Sequence, residues 1–225
     1  MSPRPPVSRR LSDWIGFSCF CLLALSVLSN VSAVSVFLVP TLALDFLVAV
    51  SFLIRDPARE AVRTARARLA AYAGTFVVLG FVEIARRMTP SWLAPSDSRA
   101  LLAIGALCWL CGSVWSVYSV WYLRHAFSIE PQARRLITSG PYRFARHPVY
   151  TGYFVQYAGM WLIYPTLPFA IVLVAWSVAT ADRIRNEEQV LSRAFLKYHA
   201  YRRRVGALGL LPRAWSPLSF VRGRS

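Results

Sequence analysis

Polar and basic residues are concentrated directly before an apolar segment in the stretch Thr138-Ser-Gly-Pro-Tyr-Arg-Phe-Ala-Arg-His-Pro-Val-Tyr-Thr-Gly152. Gly140-Pro141 breaks the preceding structure, because glycine tolerates positive φ and proline lacks an N–H group. Pro148 suits the first turn of a helix, so a helix is predicted to begin there and to continue into the apolar residues that follow. The stretch therefore joins a polar loop to a helix start.

Three basic side chains, Arg143, Arg146 and His147, lie beside this predicted helix start. The free N–H groups and the positive dipole end of a helix suit a carboxylate or ribose oxygens, and the basic side chains add donors. A basic loop that only contacts a membrane surface has the same composition. From these residues alone, a binding site and a surface loop both stay open.

The composition of the whole chain indicates a membrane protein. Its 225 residues are 56% hydrophobic and only 16% charged, whereas a soluble domain of this size normally carries more charge. The apolar residues also form long runs. We therefore predict an all-α integral membrane protein, a multi-span helical bundle of about five to six transmembrane helices.

Six spans are predicted, and their flanking charges orient them. The spans are 14–28, 34–54, 69–83, 100–123, 149–163 and 167–181, several of them shorter than the roughly 20 residues of an ideal span, which leaves a re-entrant pair open. With the N-terminus inside, 23 of the 26 Lys and Arg residues lie on the inner side, and Arg86, Arg87 and Arg99 lie outside. This asymmetry predicts a multi-pass protein with cytoplasmic N- and C-termini. It also explains the net charge of +16, because basic residues on the inner side orient the spans and contact anionic lipids. No nucleic-acid partner is therefore predicted.

The chain is predicted to form a single membrane domain, 1–225. Residues 1–123 hold the N-terminal transmembrane helices, and 124–225 hold a polar motif region with a transmembrane hairpin and a cytoplasmic tail. No cleavable signal peptide is predicted. Arginines recur at spacings of three and four in the connector 55–68, which predicts a surface helix on anionic headgroups.

A few residues inside the spans carry separate expectations. Cys108-Trp-Leu-Cys111 has the spacing of a metal or redox pair, but no second pair or nearby histidine completes it, so neither a metal site nor a disulfide is predicted. Asp45 lies near the middle of the second span, where it either lines a polar substrate tunnel or is protonated or helix-paired. Gly105 and Gly112 are one heptad apart and would allow close helix packing.

The fifth and sixth spans bring two polar clusters together. The turn between them returns the chain to the cytoplasmic side at a second cluster, Asp182-Arg-Ile-Arg-Asn-Glu-Glu188. Arg183 and Glu187 are four residues apart and share a helical face. The cluster could be a plain solvated helix, but an antiparallel hairpin sets it beside the first cluster.

Three motifs, which follow one another along the chain, resemble those of a known protein family. They are Gly140-x-Tyr142-x-x-x-Arg146-His147-Pro148-x-Tyr150-x-Gly152, Arg183-x-x-x-Glu187-Glu188-x-x-Leu191-x-x-x-Phe195, and Tyr198-x-x-Tyr201-x-x-x-Val205. Over roughly 134–212 the chain resembles the isoprenylcysteine carboxyl methyltransferase family. More broadly, it is similar to the integral-membrane methyltransferases that include the phospholipid N-methyltransferases.

The resemblance implies a cytoplasmic C-terminal cofactor-binding region for S-adenosyl-L-methionine, with a lipidic acceptor that enters between spans. It implies Arg183 as the residue that positions the acceptor and Arg146 as a second catalytic residue. The implied cofactor-binding residues are Leu136, Ile137, Tyr142, His147, Pro148, Val149, Tyr150, Glu187 and Glu188. The chain departs from the family pattern at Arg134, where a histidine is frequent, and at Phe195-Leu-Lys-Tyr198, which is one residue shorter and lacks a glycine.

These residue types suit methyl transfer from a sulfonium donor. Aromatic faces and carboxylates favour a sulfonium and an amino group, and an in-line displacement mainly needs positioning and a water-poor site. We predict carboxyl methylation of an isoprenylcysteine-like or other lipid-soluble acceptor, which Arg183 could orient. The alternative is a phosphatidylethanolamine-type N-methyltransferase. An amine or phenol must lose a proton, for which His125, His199 and Tyr201 are the candidate bases.

Two further classes are weighed against methyl transfer. A sterol-reductase-type enzyme that uses NADPH has a similar C-terminal motif, but usually carries a glutamate directly after the glycine equivalent to Gly152, where this chain has Tyr153. A non-catalytic membrane protein that keeps the same scaffold is the third possibility. Cofactor binding discriminates among the three. The oligomeric state is not predictable from these residues.

Overall fold

The computed structural model describes residues 9–29, 38–62, 64–88 and 94–209, and this part of the chain is mostly helical, as predicted. The helices are α1 (Arg9–Ser29), α2 (Leu38–Ile54), α3 (Ala65–Met88), α4 (Arg99–Leu123), α5 (Pro148–Ile163), α6 (Leu167–Ala194) and α7 (Lys197–Arg204). A 3₁₀ turn spans Gly140–Arg143, and two short strands are β1 (Glu60–Ala61) and β2 (Gln132–Ala133). The end of the bundle where α2 ends and α5 begins is called the polar end below.

Each predicted span falls on one of the helices α1 to α6, although residues 34–37 of the second span lie outside the described residues. By length and composition, α4 and α6 could each cross a membrane, and Asp13–Leu25 and Val39–Ile54 are shorter apolar helices. Large apolar side chains such as Leu107, Val114 and Val174 are exposed on the outer faces of α4 and α6, which suits a lipid environment. The number of spans and their orientation remain predictions.

Prolines and a serine mark where the helices of the motif region begin. The Ser98 hydroxyl accepts a hydrogen bond from the Leu101 N–H group at the start of α4, which is ordinary N-capping. Pro148 opens α5 as predicted, and Pro168 lies in the first turn of α6, where the missing N–H group costs no hydrogen bond. Because α6 continues past the apolar residues to Ala194, the second polar cluster lies on this same helix.

The connector between α2 and α3 is a strand pairing, so the predicted surface helix is wrong. β1 pairs antiparallel with β2, with Glu60 opposite Ala133. The Asp56 and Arg59 N–H groups donate to the carbonyls of His125 and Ala133, each at 2.7 Å. Pro57 also disfavours a helical conformation at the residue before it. The arginine spacing could not reveal this pairing, because the partner residues come from the loop after α4.

Glycines let α4 and α5 pack closely, as the heptad spacing of Gly105 and Gly112 predicts. A methyl group on Gly112 would lie 2.6 Å from the Gln156 nitrogen and the Gly152 oxygen. A methyl group on Gly105 would lie 2.6 Å from the Gly159 oxygen, and Gly152 and Gly159 are equally crowded from the α5 side. The two backbones therefore touch along this seam, which fixes the position of α5 against α4.

We expect Gly105→Ala to lower the stability of the protein by about 1–3 kcal/mol, because the new methyl group meets backbone rather than a movable side chain. Gly80→Ala is the matched control: a methyl group there has nothing within 4 Å, so the better helix propensity of alanine should leave stability unchanged or raise it by up to about 1 kcal/mol. Thermal unfolding in detergent measures both variants. Equal midpoints for the two would contradict a close seam.

Two buried apolar clusters meet at one tyrosine. The first joins α1, α2 and α4 around Val48, Phe52 and Val120, and the second joins α3 and α6 around Phe169 and Trp176. The Trp176 indole N–H group donates to the Gly74 carbonyl of α3 at 2.9 Å. Tyr153 of α5 packs against both clusters, so the inward face of α5 lies at the centre of the bundle.

Candidate cofactor-binding site

The two polar clusters of the sequence meet at the polar end of the bundle. α5 brings His147 and Tyr150 there, and the last turns of α6 bring Arg183, Glu187 and Glu188. In the loop before α5, Gly140 has a φ of +59°, and a methyl group on it would lie 2.5 Å from the Tyr122 ring. Glycine is therefore required at that position, both for backbone conformation and for space.

Glu187 is the carboxylate of this site that keeps an open side. One oxygen accepts hydrogen bonds from the Tyr150 hydroxyl at 2.6 Å and from the Arg183 Nε at 3.0 Å. The other oxygen lies 3.6 Å from the His147 Nδ1, and the side chain is 21% exposed. These donors hold the carboxylate in one orientation while a face of it remains accessible to a cation.

Glu188 is instead buried in an ion-pair cluster. Its side chain is 5% exposed, and one oxygen lies 2.8 Å from the Arg146 guanidinium and 3.3 Å from the His147 Nε2. The other oxygen lies 3.3 Å from the Arg202 Nε. Arg146 also donates to the carbonyls of Arg202 and Val205 at 2.9 and 2.7 Å. This cluster, Arg146, His147, Glu188 and Arg202, is called the tail clamp, because it fastens the segment after α6 to the start of α5.

His147 joins the two glutamates. Burial disfavours its charged form, but hydrogen bonds to Glu187 and Glu188 outweigh burial and raise the pKa of His147 above its usual range. The imidazole ring stacks on the Tyr150 ring at a centroid distance of 5.7 Å. His147 therefore favours its cationic form between two carboxylates and orients the aromatic ring beside them.

Arg183 uses its donors within the protein. Besides Glu187, it donates to the Thr75 hydroxyl at 2.7 Å and to the Ala71 and Ser128 carbonyls at 3.3 Å. Its guanidinium carbon lies 5.3 Å from the centre of the Tyr150 ring. Arg183 thereby ties α6 to α3 and to the loop after α4, and it orients Glu187 and Tyr150.

The remaining predicted cofactor residues differ in burial. Tyr142, Pro148 and Val149 are buried, and Leu136 and Ile137 are half-buried in the segment that leads to the 3₁₀ turn. Burial raises the pKa of Tyr142 well above its usual range, and the nearby Glu187 carboxylate adds to the shift. The Tyr142 phenol is therefore neutral and can serve as a hydrogen-bond donor but not as a base.

The three candidate bases differ in their surroundings. The Tyr201 hydroxyl donates to the Tyr142 carbonyl at 2.6 Å, and burial raises the pKa of Tyr201, so its phenolate is disfavoured. The His125 Nδ1 lies 3.1 Å from the Ile54 carbonyl, and His199 is exposed. None of the three lies in the described contacts of Glu187.

Sequence reasoning did not assign several residues that build the site. Arg202 and the carbonyl of Val205 belong to the third motif, whose spacing gave a position but no role. Thr75 carries no signal, because α3 joins the site only through the fold. Arg134, where the chain departs from the family, is buried and donates to the Asp56 carbonyl and, at 2.5 Å, to the Gln132 side chain, so it stabilises the β1–β2 connection.

An apolar cavity of about 360 Å³ lies on the other face of α5. Its lining includes Cys111 and Trp115 of α4 and Thr151 and Val155 of α5. Those α5 residues face away from the row of Tyr150, Tyr153 and Tyr157 by helical spacing. The cavity is thus separate from the Glu187 site.

In the described residues the four cysteines are free, and no group of three or more His, Cys, Asp or Glu side chains could hold a metal ion.

Part of the chain is similar to a known protein family. Residues 100–198, from α4 through the start of α7, match the family described as phospholipid methyltransferase. The match confirms the resemblance to the integral-membrane methyltransferases, and its region contains the α5–α6 hairpin with both glutamates. Together with the apolar helices α4 and α6, it indicates a membrane protein. No solved structure matches the chain.

Two curated proteins are similar to parts of the chain. The nickel-cobalt-cadmium resistance protein NccN of Alcaligenes xylosoxydans xylosoxydans is 32% identical over 111 residues, which cover 49% of this chain and 50% of that protein. The cobalt-zinc-cadmium resistance protein CzcN of Cupriavidus metallidurans is 29% identical over 152 residues, which cover 67% of this chain and 63% of that protein. The chain thus spans about half of the first relative and less than two thirds of the second.

Proposed function

We propose that the protein is an integral-membrane methyltransferase that moves a methyl group from S-adenosyl-L-methionine to a lipidic acceptor. The observation that carries this proposal is the Glu187 carboxylate, which is partly exposed, held by Tyr150 and Arg183, and set beside aromatic rings. Such a carboxylate suits the amino group and the sulfonium of the cofactor. The match to the phospholipid methyltransferase family supports the same reaction class.

The residues present fit the cofactor in their chemistry. Glu187 supplies the acceptor for an ammonium group, Tyr150 supplies an aromatic face, and Tyr142, Pro148 and Val149 supply buried surface. When bound, S-adenosyl-L-methionine supplies an electrophilic methyl group. The protein's own residues then have to orient the reactants and exclude water, and no nucleophilic side chain is needed.

The acceptor has two candidates. Carboxyl methylation of an isoprenylcysteine-like lipid was favoured by Arg183, but the guanidinium donors are engaged by Glu187, Thr75, Ala71 and Ser128, which weakens that support. N-methylation of a phosphatidylethanolamine-type lipid is favoured by the family match. Either way, the acceptor is lipid-soluble and reaches the site from the membrane.

Calorimetric titration of the detergent-purified protein with S-adenosylhomocysteine, with NADPH as the control ligand, tests the proposal. We expect saturable binding of S-adenosylhomocysteine and none of NADPH. The reverse result would support a reductase of the sterol-reductase type. Binding of neither ligand would support a non-catalytic membrane protein.

A further inference from the structure

Asp45 is an ionisable side chain on the inward face of an apolar helix. It shares the i, i+3, i+4, i+7 face of α2 with Val48, Ala49 and Phe52, and all four side chains are buried. Asp45 lies two and a half turns before Ile54, about 13 Å along the helix axis from the polar end. A carboxyl group at that depth in a membrane needs a polar partner or a polar ligand.

α5 carries a row of tyrosines on its inward face. Tyr150, Tyr153 and Tyr157 are spaced by three and four residues, so they share one helical face. The Tyr153 and Tyr157 rings stack at a centroid distance of 6.0 Å, and Tyr153 packs against the buried cluster that contains Val48 and Ala49, on the same face of α2 as Asp45. Tyr157 lies two and a half turns after Pro148, which places it at about the depth of Asp45.

Asp45, Tyr153 and Tyr157 have polar atoms that the described residues leave without a partner. In the part of the chain that the structure describes, Asp45, Tyr153 and Tyr157 make no hydrogen bond or ion pair. None of their polar atoms is among the fully buried atoms that lack a partner, so a polar atom of each side chain is accessible. Three accessible, unpaired polar groups on facing apolar helices indicate a place for a ligand rather than a structural contact.

We propose that Asp45, Tyr153 and Tyr157 form an acceptor subsite that binds a hydrogen-bond donor, either a protonated amine or a hydroxyl, on the lipidic acceptor; this rests on the proposed methyl transfer. A carboxylate can only accept hydrogen bonds, and tyrosine rings favour a cation. A carboxylate acceptor would meet repulsion from Asp45. Because Tyr153 lies one turn below Tyr150, an acceptor held here extends toward Glu187, and the subsite selects against isoprenylcysteine-like acids.

Carbodiimide labelling of the full chain in detergent tests the subsite without any enzymatic activity. Dicyclohexylcarbodiimide is apolar and modifies carboxyl groups in apolar surroundings, and mass spectrometry of the Asp45 peptide measures the reaction. We expect labelling of Asp45, lost in Asp45→Asn. Protonated dimethyldodecylamine or 1-dodecanol should lower it at least 5-fold, whereas dodecyl methyl ether, which has no donor, should not. The more effective of the two donors identifies the acceptor chemistry.

Three results would overturn the subsite: no labelling of Asp45, no protection by either donor, or equal protection by the ether. Tyr153→Phe should keep the labelling but weaken the protection, and Tyr72→Phe, which alters an exposed hydroxyl bound to Glu130, should change neither. If Tyr153 had only a structural role, Tyr153→Phe would not weaken the protection while it left the labelling of Asp45 unchanged.

Methyl-transfer kinetics connect the subsite to the acceptor. With tritiated S-adenosylmethionine, Asp45→Asn should raise KM at least 10-fold for an acceptor that carries an amine or hydroxyl, while the affinity for S-adenosylhomocysteine stays unchanged. An unchanged KM would overturn the subsite and leave the proposed function intact. Absence of S-adenosylhomocysteine binding in the unaltered protein would overturn the proposed function, with the labelling result still deciding whether Asp45 binds a donor.

Discussion

Replacement of Glu187 by alanine should weaken binding of S-adenosylhomocysteine about 100-fold, because the variant loses a charge-assisted contact of about 3 kcal/mol. The loss should be larger for S-adenosylmethionine, whose sulfonium charge also favours a carboxylate. Because Glu187→Ala also leaves the Arg183 guanidinium, whose side chain is 7% exposed, without its carboxylate, the thermal unfolding midpoint should fall as well, and the titration is made below the midpoint of the variant. Calorimetric titration with both ligands measures the effect.

Two companion variants separate charge from shape. Glu187→Gln can still accept the Tyr150 hydrogen bond, so a loss of affinity of 10-fold or more would assign the effect to the negative charge. Gln189→Ala removes an exposed side chain two residues further along α6 and should bind like the unaltered protein. Undiminished affinity in both Glu187 variants would exclude this carboxylate as the cofactor ligand.

Replacement of the neighbouring residue, Glu188→Ala, should instead damage the fold. It leaves the Arg146 guanidinium, whose side chain is 7% exposed, without its carboxylate, and removal of one partner from a buried ion pair costs about 3–5 kcal/mol. We expect the thermal unfolding midpoint in detergent to fall by roughly 10 °C. Limited trypsin digestion should also cut faster at Arg202, Arg203 and Arg204, because the tail clamp no longer holds them.

Glu188→Gln is the graded control for this effect. Its amide oxygen can still accept one hydrogen bond from Arg146, so its midpoint should lie between those of the unaltered protein and the alanine variant. An alanine variant with an unchanged midpoint and unchanged digestion would show that the tail clamp does not stabilise the segment after α6.

The two glutamates, Glu187 and Glu188, show which features of the site could be predicted from the sequence and which could not. Periodicity and motif order predicted that both residues lie near His147 and Tyr150, because the α5–α6 hairpin leaves few other arrangements. It could not predict which glutamate faces open space, since adjacent helical residues point about 100° apart and the answer depends on neighbours from distant segments. Arg202, which completes the tail clamp, comes from α7, whose position no local pattern specifies.

The helices themselves were predictable for a simpler reason. Long apolar runs and helix-starting prolines at 148 and 168 are local signals, and α5 and the start of α6 follow them closely. The prediction failed in the connector 55–68, where arginine spacing suggested a helix but the backbone of Asp56 and Arg59 pairs with the loop after α4. A two-residue strand has no periodicity of its own, so its partner must be seen before the strand can be recognised.

The contact between Arg146 and the segment after α7 has a consequence for biosynthesis. Arg146 donates to the Val205 carbonyl across 59 positions of the chain, and the Arg146 and His147 N–H groups donate to Gly206 and Ala207. A growing chain emerges from the ribosome N-terminal end first, so both hairpin helices are made before these carbonyls exist. These bonds at the start of α5 therefore cannot form while the growing chain is shorter than 205 residues, so the junction between α5 and the segment after α7 is completed later than the hairpin itself.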